Sequence, residues 1–446
     1  MKFLAILKDS LREALDTKVF YVMVGFSLLV ILFVASVGYR PVSVEEEARH
    51  NMFRMTVMLQ HTFAKHKLGE APVFDVKDFE QTNPDAPPWQ TGYRFFLTVD
   101  FPDAEKAKAA RAAAILPFVR NKALADTERV LQAQFTYLKN IKVTNAEPKS
   151  PTEMRYRVTA EGAKSGRYQD WPHEIVLFFV LPVPISKLPI ANYVQFWEDV
   201  LINTIGAAVA LLISTVITAF FIPNMLRKGS VDLLVVKPIS RWALLLYKYI
   251  GGMTFMFLNA VVVVVGVWLV LGLRTHLWGT GFLFSIGVLT FQFALYYAVS
   301  TLFAVLTRSS IVSILMACLT WFVVSFLIGN GYVIVNATRK VRDFTNIQME
   351  ATGLDMSDEQ PPDKLLPNWV YTTADIIHFA TPHLKDLDVL TEKWILQDTQ
   401  VPDNPQRKAA EKMYTDFRWT ETLAVTTLYI IVLLALSCWR FATRDY

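Results

Sequence analysis

Histidine is the side chain that most often binds transition metals or transfers protons near neutral pH, so its positions are the first candidates for chemistry. Six histidines lie in polar stretches of the chain: His50, His61, His66, His173, His378 and His383. His61 and His66 are five residues apart, as are His378 and His383, whereas two ligands on one helix face need a spacing of three or four. We therefore expect no metal site on a single helix, although a fold could assemble one. The sequence predicts no catalytic residue, no metal ligand and no cofactor on this chain.

A second candidate is a short apolar segment enclosed by a helix start and a helix stop. Gly229 can close the preceding helix in the left-handed conformation. Ser230 is a good N-cap, and Asp232 suits the positive end of a helix dipole. Lys237 and Pro238 end the segment, whose interior is apolar: Val231, Leu233, Leu234, Val235 and Val236. A short apolar helix at residues 230–236 needs a cover, which is either lipid headgroups or another protein.

The elements that position this segment are apolar stretches long enough to cross a membrane. About 20 apolar residues span the hydrocarbon core. Six stretches qualify, at residues 19–38, 200–222, 244–272, 279–306, 309–330 and 420–439. Both cysteines, Cys318 and Cys438, lie within them. The net charge of +4 gives no case for nucleic acid as a partner.

Basic residues cluster at one set of span ends, which sets the orientation by the positive-inside rule. They are Lys2, Lys8, Arg12, Lys18, Arg227, Lys228, Lys237, Arg241, Lys248, Arg308, Arg440 and Arg444. We expect both termini and the segment at 230–236 to be cytoplasmic. Arg339, Lys340 and Arg342 oppose the trend, but they begin a long exported loop, where the rule is weak.

Residues 1–18 carry apolar side chains at helical spacing on one face and charged side chains on the other. This pattern predicts an amphipathic helix that lies in the membrane plane before the first span, and the alternative is a plain cytoplasmic extension of that span. The fold class that follows is an α-helical integral membrane protein with six transmembrane helices, an N-terminal interfacial helix, an inserted α+β extracytoplasmic domain and a second, mainly helical extracytoplasmic block. The predicted units are 1–18, 19–38, 39–197, 198–330, 331–419 and 420–446.

Within the two polar blocks, helix and strand periodicities alternate. In the first block we predict helices at 45–69, 103–115 and 118–139 and strands at 93–101, 154–160 and 174–181. In the second block we predict helices at 373–380, 384–397 and 405–417.

The segment from Lys228 to Arg241 resembles the signature of ABC type-2 exporter permeases. It has the family's Gly229, the hydroxyl of Ser230, the acidic Asp232, the Leu233–Leu234 pair, the Lys237–Pro238 step and the final Ser240–Arg241 pair. The helix at 1–18 is similar to the family's N-terminal elbow. A large exported insert after the first span resembles nitrous-oxide-cluster and gliding-type permeases.

This resemblance implies a permease subunit of an ATP-driven exporter in a bacterial cytoplasmic (inner) membrane. The helix at 230–236 is then a coupling helix that docks onto a separate ATPase subunit. That partner holds ATP and magnesium, and a second permease copy or paralogue completes a dimer. The substrate is not identified.

Two further observations fit this implication. The chain has no Gly-x-x-x-x-Gly-Lys-Ser/Thr segment, so no phosphate-binding loop is predicted on it. Ionisable residues lie only near the ends of the predicted spans, whereas ion-coupled carriers usually keep one at the midplane. Four polar residues in the spans line a substrate path or bond to a neighbouring helix: Asn203, Thr204, Asn259 and Gln292. The alternative function is a non-transporting scaffold or sensor that presents its extracytoplasmic domain.

Overall fold

The computed structural model describes residues 18–65, 70–112, 128, 131–132, 135, 137–162, 171–183, 188–201, 206–225, 240–352, 364–398, 407–408, 411–412 and 414–443. Apart from its last residue, the predicted interfacial helix at 1–18 lies outside this part. So does most of the predicted helix at 118–139. The helix predicted at 405–417 ends too late, because Tyr414–Asp416 form a 3-10 helix and Phe417 is not helical.

The described part is mainly helical. Its α-helices are α1 (Lys18–Ala35), α2 (Val44–Lys65), α3 (Ala104–Ala112), α4 (Ile190–Asp199), α5 (Gly206–Thr218), α6 (Phe221–Met225), α7 (Arg241–Thr275), α8 (Ser285–Thr307), α9 (Ser310–Thr320), α10 (Asn330–Thr338), α11 (Val341–Thr352), α12 (Asn368–Phe379), α13 (Leu384–Asp398) and α14 (Trp419–Thr443). Short 3-10 helices form at Pro88–Gln90, Thr280–Phe284 and Tyr414–Asp416.

Four helical stretches in this part are long and apolar enough to cross a membrane: Arg241–Thr275, Thr280–Thr307, Ser310–Thr338 and Trp419–Thr443. They coincide with the third to sixth predicted spans. The fifth stretch continues past the predicted end at residue 330, through a π-helix at Trp321–Gly329 into α10. Shorter apolar helices, Tyr21–Ala35 and Ala210–Met225, occupy the positions of the first and second predicted spans.

The apolar helices pack through close contacts between named side chains. A Cβ added at Gly252 in α7 would lie 2.5 Å from Cε1 of Tyr297 in α8, so glycine permits this approach. Tyr249 stacks on the same ring at 5.0 Å. Between α1 and α7, the hydroxyl of Ser27 donates a hydrogen bond to Oδ1 of Asn259 at 2.9 Å. These contacts hold α1, α7 and α8 in one bundle.

The polar block after α1 contains an antiparallel sheet. Its strands are β2 (Val73–Gln81), β3 (Gly92–Asp100), β4 (Leu138–Ala146) and β5 (Glu153–Gly162), in the order β2-β3-β5-β4. Met154, Tyr156, Val158 and Ala160 alternate along β5 and are buried, as expected for a strand with one covered face. Helix α2 packs against β2. The block is thus an α+β unit.

A smaller sheet links this unit to the apolar helices. It consists of β1 (Gly38–Pro41), β6 (Pro172–Leu177), β7 (Leu181–Pro182) and β8 (Leu188–Pro189), with β6 pairing the other three. β1 follows α1 directly, and Arg274 at the end of α7 donates a hydrogen bond to the carbonyl oxygen of Ala35 at 2.8 Å. The ends of α1 and α7 therefore meet at one end of the bundle, which we call the domain end.

Two predictions in this block are wrong. The helix predicted at 118–139 ends too late, because β4 begins at Leu138, and the strand predicted at 174–181 is interrupted by a turn. In this turn Phe178 and Phe179 adopt φ values of 50° and 61°. The left-handed conformation costs a residue other than glycine about 1–2 kcal/mol. Hydrophobic periodicity does not reveal a turn made of two phenylalanines.

Candidate functional site

Helices α12 and α13 are joined by a short connection, and α13 packs among the apolar helices, whereas most of α12 is exposed. Their connection, residues 380–383, contacts α14 through the hydroxyl of Tyr429, which donates a hydrogen bond to the carbonyl oxygen of Ala380 at 2.6 Å. At the other end of α13, Oδ2 of Asp398 accepts a hydrogen bond from the backbone N–H of Gly281 at 2.6 Å. Helix α13 therefore runs beside the first half of the fourth apolar stretch, with its N-terminus farthest from the domain end. We call α12, α13 and their connection the inserted hairpin.

The turn of the inserted hairpin lies about halfway along α14. At 1.5 Å per residue, Tyr429 is about 15 Å along α14 from Trp419. This distance is half of a hydrocarbon core of about 30 Å. Gln292 marks a similar level in α8, because its Nε2 donates a hydrogen bond to the carbonyl oxygen of Leu384 at 3.3 Å. Side chains near residue 384 are thus surrounded by membrane-type helices.

A buried polar network joins α13 to α8 at this level. Nε2 of Gln292 also donates to Oδ1 of Asp388, while Nζ of Lys385 lies 3.2 Å from Oδ2 of Asp388. Both carboxylate oxygens of Asp388 therefore have a polar partner, and Glu392 places a second carboxyl group one turn farther along α13. The network thus brings carboxyl groups among the apolar helices.

Sequence reasoning missed these carboxyl groups, because the region was interpreted as an amphipathic helix in an exported loop. A usable signal was present. Apolar residues of α13 occupy more than one face, a pattern typical of a helix that is covered on several sides. They are Leu384, Leu387, Val389, Leu390, Ile395 and Leu396, and all are buried.

The turn of the inserted hairpin also brings two histidines and an aspartate together. Nε2 of His378 lies 2.9 Å from Oδ2 of Asp386. Nε2 of His383 lies 2.9 Å from the carbonyl oxygen of His378. The two imidazoles stack at 4.0 Å, and Tyr332 stacks on the ring of His378 at 3.7 Å. Two residues that are five positions apart do not share one helix face. Here His378 lies at the end of α12 and His383 in the turn that follows, so the turn brings the two side chains together.

The predicted path-lining residues that the structure describes have partners on neighbouring helices. Asn259 accepts from Ser27 and borders a small, mostly apolar cavity that also includes Ala210 and Phe282. Gln292 bonds to α13, as described above. Asn203 and Thr204 lie outside the described residues. These partners indicate that Asn259 and Gln292 bond to neighbouring helices rather than line an open substrate path.

The predicted coupling residues Gly229, Ser230, Asp232, Leu233, Leu234, Lys237 and Pro238 lie outside the described residues. Arg241 is described and begins α7. Because α7 reaches the domain end at Arg274, Arg241 lies at the opposite end of the same helix. The segment after Met225, where α6 ends, therefore joins α7 at the end that lies farthest from the domain end.

The long apolar helices are those of a membrane protein, and the sequence comparisons agree. The family model described as ABC-2 family transporter protein matches residues 4–446. The chain belongs to the ABC-2 transporter family. No curated protein matches the sequence. This ABC-2 permease is therefore a membrane protein and a membrane transport subunit, and members of its family normally work with an ABC ATPase partner.

Proposed function

We propose that this permease is the membrane subunit of an ATP-driven exporter in a bacterial cytoplasmic membrane. The observation that carries the proposal is the family match over residues 4–446, which includes the coupling-type segment. ATP and magnesium bind to a separate ATPase chain. A second permease copy or paralogue supplies the other half of the pore. The transported substrate is not assigned.

The proposed topology has six spans and places both termini in the cytoplasm. The shorter apolar helices, Tyr21–Ala35 and Ala210–Met225, serve as the first two spans together with residues outside the described part. The α+β unit at 39–197 and the block at 331–419 then lie outside the cytoplasm. The clustered basic residues at the other span ends support this orientation.

In this proposal the helix at 230–236 passes movement from the ATPase to the membrane. It joins the second span to α7, and α7 packs on both α1 and α8. When ATP binding closes the ATPases, a displacement of this helix shifts the end of α7 at Arg241. The long, continuous α7 transmits that shift toward the inserted hairpin, where Gln292 and Asp388 connect α8 to α13.

The coupling proposal is tested by replacing Leu233 and Leu234 with serine. If both side chains are buried against the ATPase, the double change removes on the order of 2–4 kcal/mol of apolar burial. Co-purification of a co-expressed ABC ATPase partner should then weaken about 30-fold or more. Membrane insertion should remain, because no span is changed.

A matched control places two apolar-to-serine changes on the opposite side of the proposed membrane. Val73 and Leu365 are exposed, with 44% and 54% of their surface accessible, and neither lies in a span. The Val73→Ser, Leu365→Ser double variant should bind the ATPase as the wild type does. Undiminished ATPase binding by the Leu233→Ser, Leu234→Ser variant would contradict the exporter proposal and favour a non-transporting scaffold or sensor.

A further inference from the structure

Three potential metal ligands converge at the turn of the inserted hairpin. His378 belongs to the last turn of α12, His383 to the connection and Asp386 to the first turn of α13. One ligand atom from each side chain lies within 4.8 Å of the other two. The side chains of His383 and Asp386 are 8% and 6% exposed, and that of His378 is 16% exposed. The three side chains therefore enclose a small, mostly buried polar site.

Hydrogen bonding fixes which nitrogen of His383 can bind an ion. A carbonyl oxygen only accepts hydrogen bonds, so Nε2 of His383, 2.9 Å from the carbonyl oxygen of His378, carries a proton and donates it. In the neutral imidazole, Nδ1 then presents a lone pair. A backbone acceptor that holds the second ring nitrogen in this way is typical of metal-binding histidines.

Nδ1 of His383 lies close to a carboxylate oxygen. Its distance from Oδ2 of Asp386 is 3.8 Å. This distance is longer than an N–H···O hydrogen bond of about 2.7–3.2 Å, so no hydrogen bond joins the two atoms. Zinc binds nitrogen at about 2.0–2.1 Å and carboxylate oxygen at about 2.0–2.2 Å, and one ion bound to both atoms holds them about 3.3–4 Å apart.

His378 can supply the third ligand. Its Nε2 lies 2.9 Å from the same carboxylate oxygen. Since the two imidazoles are within 9° of parallel, the ring of His378 must tilt about its Cβ–Cγ bond to face a shared ion. That torsion has a broad energy minimum. Coordination through Nε2 also requires the tautomer of His378 whose proton is on Nδ1.

We propose that His378, His383 and Asp386 bind one divalent transition-metal ion, of which Zn²⁺ fits best. Two imidazoles and one carboxylate form a ligand set that suits zinc, with a fourth position for water. The ion links the end of α12 to the start of α13 and so fixes the turn of the inserted hairpin. A bound ion stabilises this turn whether or not the permease exports, so metal binding and export can fail separately.

The test uses the full-length permease in detergent, stripped with EDTA and titrated with Zn²⁺ alone. We expect one Zn²⁺ per chain, a higher melting temperature, and tetrahedral absorption bands when Co²⁺ replaces Zn²⁺. His383→Gln keeps a side-chain N–H for the carbonyl oxygen of His378, and Asp386→Asn keeps the side-chain shape. Each variant should lower Zn²⁺ affinity at least tenfold and remove the Co²⁺ bands.

A histidine away from the hairpin provides the control. His61 lies in the exposed part of α2, so His61→Gln should bind Zn²⁺ as the wild type does. Melting curves recorded in EDTA identify a variant that has lost its fold rather than its ligand. The proposal is overturned if both hairpin variants bind Zn²⁺ with wild-type affinity. It is also overturned if only His61→Gln weakens Zn²⁺ binding.

A separate observation concerns the turn between β6 and β7. Phe178, Phe179, Val180 and Leu181 are consecutive and 58–74% exposed. The N–H of Val180 donates to the carbonyl oxygen of Leu177 at 3.1 Å, which closes a tight turn around the two phenylalanines with positive φ. Such turns normally use Asn-Gly. Phenylalanine disfavours positive φ, yet this turn places two phenylalanine rings at its tip. This departure from backbone preference indicates that the rings have a binding role.

The neighbours of this turn identify the partner as lipid. The ring of Phe178 lies 6.4 Å from that of Phe33, which is exposed on the apolar helix α1. The guanidinium of Arg274 lies 4.7 Å from the ring of Phe179 and suits a lipid phosphate. The exposed tip thus continues the membrane-facing surface of α1. We infer that Phe178 and Phe179 lie in the headgroup layer and hold the α+β unit against the membrane.

This inference is tested with a bimane label in phosphatidylcholine nanodiscs, in a chain with Cys318 and Cys438 changed to serine. A label on Phe179→Cys should be quenched by nitroxide-labelled lipid. A label on Asp85→Cys should not be, because the loop of Asp85 lies near Trp171, about 20 Å from the tip along β6 at 3.3 Å per residue. Equal quenching at the two positions, or no quenching at Phe179→Cys, overturns the assignment.

Discussion

One buried side chain of this permease, His173, stays neutral to a lower pH than it would in water. His173 in β6 is fully buried, and its Nδ1 donates a hydrogen bond to the carbonyl oxygen of Trp171 at 2.6 Å. The hydroxyl of Tyr193 donates to the backbone carbonyl oxygen of His173 at 2.9 Å. Burial lowers the pKa of His173 to about 4, in spite of the hydrogen bond to Trp171. The fold therefore requires a neutral imidazole at this position.

This requirement predicts a stability loss in mild acid. The unfolded chain takes up the proton of His173 near pH 6.5, whereas the folded chain does so only near pH 4. The stabilisation is therefore complete above about pH 6.5 and decreases as the pH falls toward 4, by about 3 kcal/mol in total. Asn in place of His173 can still donate to Trp171 but does not titrate.

The measurement is the apparent free energy of unfolding of the full-length permease between pH 7 and pH 4.5, in EDTA. We expect the His173→Asn variant to be less stable at pH 7, because a cavity forms, but to lose less stability on acidification than the wild type. His50, which is exposed on α2, provides the control, and His50→Asn should follow the wild-type curve. A variant at residue 173 with the full wild-type pH dependence would contradict the assignment of a neutral, buried imidazole.

At the scale of elements, hydrophobic periodicity predicted the helices and strands whose formation depends on residues close in sequence. The helix predicted at 384–397 is observed at Leu384–Asp398, and the strand predicted at 93–101 at Gly92–Asp100. Strands β2 and β4 were missed, since Lys, Asp, Asn and Glu fill their exposed face and interrupt the apolar pattern. Each of these strands pairs with a central strand, β3 or β5, and this pairing supplies the stability that its own composition does not.

The placement of the inserted hairpin could not be predicted, although its helices could. Its position depends on contacts such as Gln292 with Asp388 and Tyr429 with Ala380, which join residues 96 and 49 positions apart. The same limitation applies to His378, His383 and Asp386. Their spacing argues against a shared helix face, and only the turn after α12 brings them together. A single sequence does not reveal such long-range contacts.

At the scale of the whole molecule, the two shorter apolar helices decide the topology. The four long stretches begin at Arg241, after both the α+β unit and the coupling-type segment. If α1 and the α5–α6 pair do not cross the membrane, the α+β unit and the residues before α7 lie on the same side. If both cross, the α+β unit and Ser240 lie on opposite sides.

Single cysteines distinguish these two arrangements. Asp85 and Ser240 are both exposed, and each can be changed to cysteine in a chain with Cys318 and Cys438 replaced by serine. In spheroplasts, a membrane-impermeant maleimide should label Asp85→Cys at once and label Ser240→Cys only after lysis. Leu365→Cys should behave like Asp85→Cys, because the fifth stretch returns the chain to the domain end. This pattern follows from six spans with cytoplasmic termini, in which basic residues collect on the side of Ser240.

Labelling of Asp85→Cys and Ser240→Cys from the same side would show that α1 and the α5–α6 pair do not both cross the membrane. The α+β unit would then lie beside the ATPase instead of outside the cell membrane.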